Sequence, residues 1–267
     1  MEMLLACRDG LLLHDGMWKR TDCPLRTPGL IAHSGDTLAV VDNAAHLLWH
    51  GQALPCPRDV EALALWQGYA LILSSDTDSL SIADRDNWLV TARVGVCPQD
   101  MCLLQDSVLV CGGADGHVHR LSLPDLCLLQ SYTVPGMAQR ISAGDDEAHV
   151  LSALGDEEPY TLLGRLELQD GAYTQVTRLP GIPGAVHADR TGDVWAAAAE
   201  RLYHFPAAST QADAAFRGFG LIRHIDVQGN TALLTDPVAG LCVSVTRPPK
   251  PAIRVLWRGD VEQACFR

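Results

Sequence analysis

The chain has 267 residues, a formal net charge of −12, 48% hydrophobic residues and 19% charged residues. This balance is typical of a folded globular chain and excludes a disordered one. The negative charge argues against nucleic acid as a partner, because phosphate binding needs clustered cations, and no window approaches the ~18 uninterrupted apolar residues of a membrane helix.

The N-terminal segment and the cysteines together indicate the compartment. The opening MEMLLACRDG has an acid where a secretory signal needs a base, and Arg8 and Asp9 end its apolar run early. The nine cysteines are odd in number and form no C-x-x-C pair. We therefore expect a cytoplasmic protein with reduced thiols. Only two lysines occur, Lys19 and Lys250, which leaves little scope for lysine-based chemistry.

One unit recurs along the chain. It begins at a turn with Pro, Gly or Asp and continues through a short apolar strand, a strongly apolar strand, a strand of alternating character and a final strand. The steps between first apolar residues run from 30 residues (Leu30 to Val60) to 48 residues (Met137 to Ala185). Units of this length are typical of four-stranded propeller blades. The seven anchoring residues are Leu30, Val60, Met101, Met137, Ala185, Leu221 and Val261.

The two ends of the chain complement each other. The opening MLLACRDGLLLHDGMWKRTDCP supplies the last three strands of a unit, and the closing DVEQACFR supplies a first strand. The sequence therefore predicts that the terminal strand pairs with the N-terminal unit and closes a ring without open sheet edges. The run AAAAE from Ala196 has helical propensity, but its place in the repeat predicts a strand, and we expect essentially no helix.

The whole chain resembles seven-bladed β-propellers of the WD-repeat and YVTN-repeat kind. The aspartate that orders the blade in WD-repeat proteins, after the second strand, is matched by Asp9, Asp42, Asp115 and Asp236. The resemblance implies an all-β fold: a single seven-bladed β-propeller domain of four-stranded antiparallel blades, closed by the C-terminal strand joining the N-terminal blade. The expected blades are residues 1–25 plus 260–267, 26–57, 58–98, 99–134, 135–181, 182–218 and 219–259.

Polar residues on the innermost strands form the candidate site. Because these strands converge on the axis, we expect their polar side chains to gather at one end of the axial channel. Two interpretations stay open: a small-molecule or metal site, and a polar channel filled with ordered water and paired charges such as Glu61 with Arg140. The residues are Glu61 and Glu262 at one aligned position, His33, Arg140 and His224 two residues further on, and His187, Arg223 and Gln139 between them.

No catalytic signature accompanies this site: the chain has no G-x-S-x-G, G-x-x-x-x-G-K or H-E-x-x-H. The first hypothesis is a non-catalytic scaffold that presents a rim or the axial channel to a protein partner or a small ligand. We expect a monomer with no cofactor, metal, nucleic acid or membrane partner. A redox role with a quinone or haem is a further reading, although no c-type haem motif occurs.

The alternative is a cytoplasmic small-molecule hydrolase or lyase. It follows from the similarity of the chain to lactonases with seven YVTN-like blades. Acid–base work would then belong to four residues of the channel, and an anionic substrate would be held by an arginine. The acid–base residues of this reading are Glu61, Glu262, His33 and His224, and the ligand-binding residues are Arg140, His187 and Arg223.

Overall fold

The computed structural model describes residues 2–25, 27–85, 87–144, 146–247, 249 and 251–267. These residues form 28 strands, which pair into seven antiparallel sheets of four strands each. The predicted all-β, seven-bladed propeller is thus confirmed. The described residues form no helix, and so none that could cross a membrane. Lys250 lies outside the described residues.

Each blade runs from an innermost strand at the axis to an outermost strand at the rim. Blade 1 consists of β28 (Gln263–Phe266), β1 (Met3–Cys7), β2 (Gly10–His14) and β3 (Trp18–Arg20). Blade 2 consists of β4 (Pro28–Ser34), β5 (Thr37–Asp42), β6 (His46–Trp49) and β7 (Gln52–Pro55). Blade 3 consists of β8 (Val60–Trp66), β9 (Tyr69–Ser74), β10 (Ser79–Ala83) and β11 (Trp88–Arg93). Blade 4 consists of β12 (Asp100–Leu103), β13 (Ser107–Cys111), β14 (His117–Ser122) and β15 (Leu128–Thr133).

The remaining three blades follow the same order. Blade 5 consists of β16 (Met137–Ala143), β17 (Glu147–Leu154), β18 (Tyr160–Glu167) and β19 (Tyr173–Pro180). Blade 6 consists of β20 (Pro183–Ala188), β21 (Val194–Ala198), β22 (Arg201–Phe205) and β23 (Ala214–Arg217). Blade 7 consists of β24 (His224–Gln228), β25 (Thr231–Asp236), β26 (Leu241–Thr246) and β27 (Ala252–Arg258).

The ring closes through blade 1, as predicted. Strand β28 pairs antiparallel with β1, with Met3 opposite Phe266 and Ala6 opposite Gln263. Blade 1 is therefore built from both ends of the sequence, and its innermost strand comes last in the chain. The chain thus runs from β27 of the seventh blade into β28 of the first, and β28 covers the edge of β1 that would otherwise be unpaired.

The second strand of each blade explains the apolar runs of the sequence. Strands β9, β13 and β21 lie between neighbouring blades and are buried along almost their whole length. A strand covered on both faces has no solvent-facing side chains, so its sequence is continuously apolar rather than alternating. For the same reason Ala196 and its neighbours form a strand despite their helical propensity. The outermost strand β11, by contrast, alternates between half-buried and exposed residues.

The two ends of the ring carry different connections. At one end lie the segments that lead into the innermost strands, together with the turns between second and third strands; we call this end the upper face. The other end, the lower face, carries the remaining two connections of each blade. On the upper face the Asp42 carboxylate accepts hydrogen bonds from the backbone N–H of Ala44 (3.0 Å) and His46 (2.8 Å). The aspartate thus orders its turn by satisfying backbone donors.

A buried imidazole in blade 5 predicts acid sensitivity. His149 on β17 is 6% exposed, and burial lowers its pKa from 6.5 to about 4. The unfolded chain therefore binds this proton first as the pH falls, so stability is lost between the two pKa values. From about pH 7 to about pH 4.5 this group should remove about 2–3 kcal/mol from the free energy of unfolding. Urea unfolding at both pH values measures the loss, which should shrink by that amount in His149→Leu; an unchanged loss would contradict the assignment.

Candidate functional site

A cavity of about 530 Å³ lies on the axis and opens on the upper face. Six of the polar residues predicted from the sequence line it, and they come from five blades. His33 does not belong to this lining; it pairs with Leu38 towards the far end of β4. The lining residues among those predicted are Glu61, Arg140, His187, Arg223, His224 and Glu262.

β-Bulges near the start of several innermost strands change the positions of the polar side chains relative to the sequence alignment. In β8 the bulge falls between Val60 and Ala62, so Glu61 is the extra residue, and in β16 the corresponding extra residue is Gln139. A bulged residue leaves the ladder and turns its side chain away from the regular alternation. Arg140 therefore follows the bulge position directly, instead of lying two residues beyond the equivalent of Glu61 as the sequence alignment placed it.

The same bulge explains the position of His33. In β4 the bulge falls between Pro28 and Leu30, with Gly29 as the extra residue. His33 therefore lies four residues past the bulge, whereas Arg140 lies one residue past its own. The two side chains that sequence alignment placed at one level are consequently at different depths along the axis. The Nε2 atom of His33 is buried and has no hydrogen-bond partner among the described residues.

Polar side chains on the innermost strands also join neighbouring blades. The innermost strand of a propeller has one edge without a strand partner, and its backbone donors need acceptors from elsewhere. Side chains of one blade supply these acceptors to the next blade in the ring. The contacts are Ile31 N to Gln263 Oε1 (2.7 Å), Ile141 N to Asp100 Oδ2 (3.0 Å), Ala188 N to Ser142 Oγ (2.9 Å) and Phe266 N to Asp226 Oδ2 (2.8 Å).

Sequence reasoning missed all four acceptors, Gln263, Asp100, Ser142 and Asp226. For Gln263 and Asp100 a signal was nevertheless present, because each is a polar residue in a strand that otherwise carries apolar or small side chains. A polar side chain at such a position needs a partner when it is buried. The partner, a backbone N–H of the neighbouring blade, could be identified only from the assembled ring.

Arg140 is the most highly connected residue of the cavity. Its Nε donates to the carbonyl oxygen of Gly184 (2.8 Å) on blade 6, and its Nη1 donates to those of Gln99 and Gln139 (both 2.9 Å). The guanidinium thereby ties blades 4, 5 and 6 together. The ion pair between Arg140 and Glu61 that the sequence suggested does not occur among the described residues. Glu61 Oε1 instead accepts a hydrogen bond from Ser75 Oγ (2.7 Å).

Burial shifts the protonation of the acids and imidazoles around the axis. Burial raises the pKa of Asp100 to about 6, although the charge of Arg140 opposes the shift. Burial lowers the pKa of His224 to about 4, and it lowers the pKa of His187 against the opposing charges of Asp226 and Asp189. The two imidazoles are therefore neutral near neutral pH and can donate or accept hydrogen bonds.

Two further depressions adjoin the axial cavity on the upper face. One, of about 860 Å³, lies between blades 2 and 3 and shares Gly29, Asn43 and Glu61 with the axial cavity. The other, of about 290 Å³, shares Asn43 and Glu262 with it. At this junction Gly29 packs closely against Asn43: a Cβ at position 29 would lie 2.8 Å from Asn43 Oδ1. The upper face thus presents one connected depression across the mouth of the axis.

Four exposed apolar side chains lie on the same face as this depression. They belong to four different blades or to the segments that enter them, and each lies on the upper face. Backbone bridges connect Val96 to Gly113 and Gly113 to Ala138, the residue that follows Met137. The four residues are Val96, Met137, Ile182 and Val238, which are 51%, 43%, 49% and 72% exposed.

The described residues provide no group of three or more His, Cys, Asp or Glu side chains arranged to hold a metal ion. The neighbouring imidazoles of His117 and His119 on β14 stack on each other, with ring centroids 5.8 Å apart. His119 Nε2 lies 3.1 Å from the Asp115 carboxylate.

The axial cavity itself combines guanidinium, carboxylate and neutral imidazole groups, which suit the recognition of a polar, charged ligand.

Comparisons with known proteins identify the fold and no closer relationship. No family model and no curated protein sequence matches the chain. Among solved structures, the chain is similar to a protein from Lactobacillus plantarum, with TM-score 0.77, 12% identity and 100% of both chains covered. It is also similar to a putative 6-phosphogluconolactonase from Bacteroides uniformis, with TM-score 0.77, 11% identity and coverage of 100% of this chain and 99% of that one.

The WD40 β-propeller domain of Doa1 is another similar structure, with TM-score 0.71, 10% identity and coverage of 88% of this chain and 86% of that chain. Identities this low establish a shared architecture only. The chain is therefore a seven-bladed propeller that resembles WD-repeat propellers in fold.

Proposed function

We propose that this protein is a non-catalytic scaffold that binds another protein through its upper face. The partner lies across the connected depression and contacts the exposed apolar side chains of the upper face, which are Val96, Met137, Ile182 and Val238. Protein interaction is the typical role of WD40 propellers, and the fold similarity supports the same role here. The closed ring holds the upper connections in fixed positions, so the partner meets a preformed surface.

The observation that carries this proposal is that four exposed apolar side chains share one face of the ring with the charged axial cavity. Single exposed apolar residues are normal on protein surfaces and need no explanation. Here Val96, Met137, Ile182 and Val238 all lie on the face onto which the cavity opens. A partly apolar surface beside a polar cavity matches the composition of protein–protein interfaces.

A site-specific crosslinking experiment tests the proposal. A photo-crosslinking amino acid at Val238, 72% exposed on the upper face, should capture a defined protein reproducibly in the native lysate. The same amino acid at Met17, 70% exposed on the lower face, is the matched control and should not capture that protein. Ile182→Asp should reduce capture from position 238 by at least about tenfold, because a charge in an apolar contact must be desolvated. Equal capture from both positions would contradict the proposal.

A hydrolase acting in the axial cavity is the second candidate. Glu61, Glu262 and His224 line the same cavity, and burial together with the charge of Asp260 raises the pKa of Glu262, as suits a proton donor. The fold similarity to a putative 6-phosphogluconolactonase agrees with this reading. Hydrolysis of lactones that is lost in Glu262→Gln would favour it over the scaffold; its absence would leave the scaffold as the supported function.

A further inference from the structure

Arg140 presents a pre-oriented guanidinium to the axial cavity. Its Nε and Nη1 atoms are held by the carbonyl oxygens of Gly184, Gln99 and Gln139. Its Nη2 atom has no hydrogen-bond partner among the described residues, and the side chain lines the cavity. A guanidinium fixed on one side loses little further freedom when its free N–H groups bind a ligand.

Arg223 brings a second guanidinium to the same cavity. It directly precedes β24 on blade 7, its side chain is exposed, and it lines the cavity together with Arg140. Within the described part of the chain, its guanidinium makes no hydrogen bond or ion pair. Burial lowers the pKa of Arg223, the positive charge of Arg140 lowers it further, and the negative charge of Glu61 raises it.

Two of the carboxylates that line the cavity, Asp100 and Glu61, accept hydrogen bonds from groups other than the two guanidiniums. The two oxygens of Asp100 accept hydrogen bonds from the backbone N–H groups of Met101 and Ile141, and Glu61 is bonded to Ser75. Among the described residues, neither guanidinium has a carboxylate within ion-pair distance. The cavity carboxylates thus act on the two guanidiniums only beyond ion-pair distance, and an anion that contacts both guanidiniums directly would be bound by opposite charge and by hydrogen bonds together.

We propose that the axial cavity binds a small oxyanion, a phosphate or a carboxylate group, between the guanidiniums of Arg140 and Arg223. Guanidinium groups bind both kinds of oxyanion through parallel, charge-assisted hydrogen bonds. The neutral imidazoles of His187 and His224, on the adjoining strands β20 and β24, can add a donor. This proposal does not rest on the protein-binding function proposed for the upper face, although the cavity opens on that face.

Two carboxylates in the same cavity limit the ligand to one such group. Glu61 and Glu262, from blades 3 and 1, carry negative charge into the same cavity and would repel a second oxyanion. The ligand should therefore have a single oxyanion group and a neutral or cationic remainder. A volume of about 530 Å³ accommodates a small metabolite of this kind.

Calorimetric titration with two probes tests the site: inorganic phosphate for the tetrahedral oxyanion and acetate for the carboxylate. The wild-type protein should bind at least one of them saturably, and binding of that probe identifies the class of oxyanion. Arg223→Gln should weaken binding by at least about tenfold, because a charge-assisted hydrogen bond is lost. Arg223→Lys should recover part of the affinity, since it restores the charge without the planar fork.

Arg254→Gln is the matched control, because Arg254 is an exposed arginine on the outermost strand β27, away from the axis. It should leave binding unchanged. Urea unfolding establishes that each variant folds like the wild type. Saturable binding of neither probe would overturn the proposal, and so would an equal loss in Arg223→Gln and Arg254→Gln. Val238→Asp should retain oxyanion binding, so failure of this site and failure of the protein-binding surface are distinguishable.

Discussion

Deletion of Val261–Arg267 is expected to abolish cooperative folding of the ring. These residues contain β28, whose removal exposes the paired edge of β1 and the inner face of blade 1. Val261 and Ala264 are each 1% exposed and Phe266 is 9% exposed. Truncation of one buried aromatic residue alone costs about 3–5 kcal/mol, and domains are stable by only about 5–15 kcal/mol. Tryptophan fluorescence during urea unfolding should show no cooperative transition.

The deletion also removes two links between blades. Phe266 N no longer donates to Asp226 of blade 7, and Gln263 no longer accepts from Ile31 N of blade 2. A synthetic peptide with the sequence Gly259–Arg267 should restore the transition by adding the missing strand. Arg267→Ala is the control: its ion pair with Glu2 is long, at 3.8 Å, and exposed, so its loss should change stability by less than about 0.5 kcal/mol. An unchanged midpoint after the deletion would contradict the role of β28.

Arg140→Leu is expected to destabilise the protein by about 3 kcal/mol near neutral pH. The substitution removes the donors to the carbonyl oxygens of Gly184, Gln99 and Gln139. It also removes the cation that counteracts the burial of Asp100, so the pKa of Asp100 should rise further above about 6. Urea unfolding of the variant and the wild type over a range of pH measures both effects.

The pH dependence has a definite sign. Because the pKa of Asp100 in the folded state lies above its usual value of 3.8, ionisation opposes folding, and protonation relieves the penalty. The difference in stability between Arg140→Leu and wild type should therefore be smaller at about pH 5 than at about pH 7.

A second substitution checks the coupling between the two residues. Adding Asp100→Asn to Arg140→Leu should recover part of the stability near neutral pH, because the unpaired buried charge is gone. The introduced amide has a single acceptor oxygen for the two N–H groups of Met101 and Ile141, so recovery should be partial. The opposite outcome has two parts: the stability difference between Arg140→Leu and wild type is the same at every pH, and the double variant recovers no stability. That outcome would show that Asp100 and Arg140 act independently.

The local sequence pattern predicted the architecture because every blade repeats the same order of four strands, with the same strand buried each time. The second strand lies between two neighbouring blades and must be apolar throughout, so the runs in β9 and β13 were readable without coordinates. The polar residues near the starts of the innermost strands were recognisable because they recur at similar positions of the repeat. Glu61, Arg140 and Glu262 are such residues, and all three line the axial cavity.

The amino-acid sequence by itself determined the seven-bladed ring, its closure by β28 and most of the polar residues of the axial cavity. The tertiary structure alone decided their geometry. The bulges in β4, β8 and β16 displaced His33 from the level of Arg140, and they depend on strand pairing rather than on residue type. The partners of Arg140 and Asp100 are backbone groups, several of them from other blades, and a backbone group leaves no trace in the sequence of its own residue.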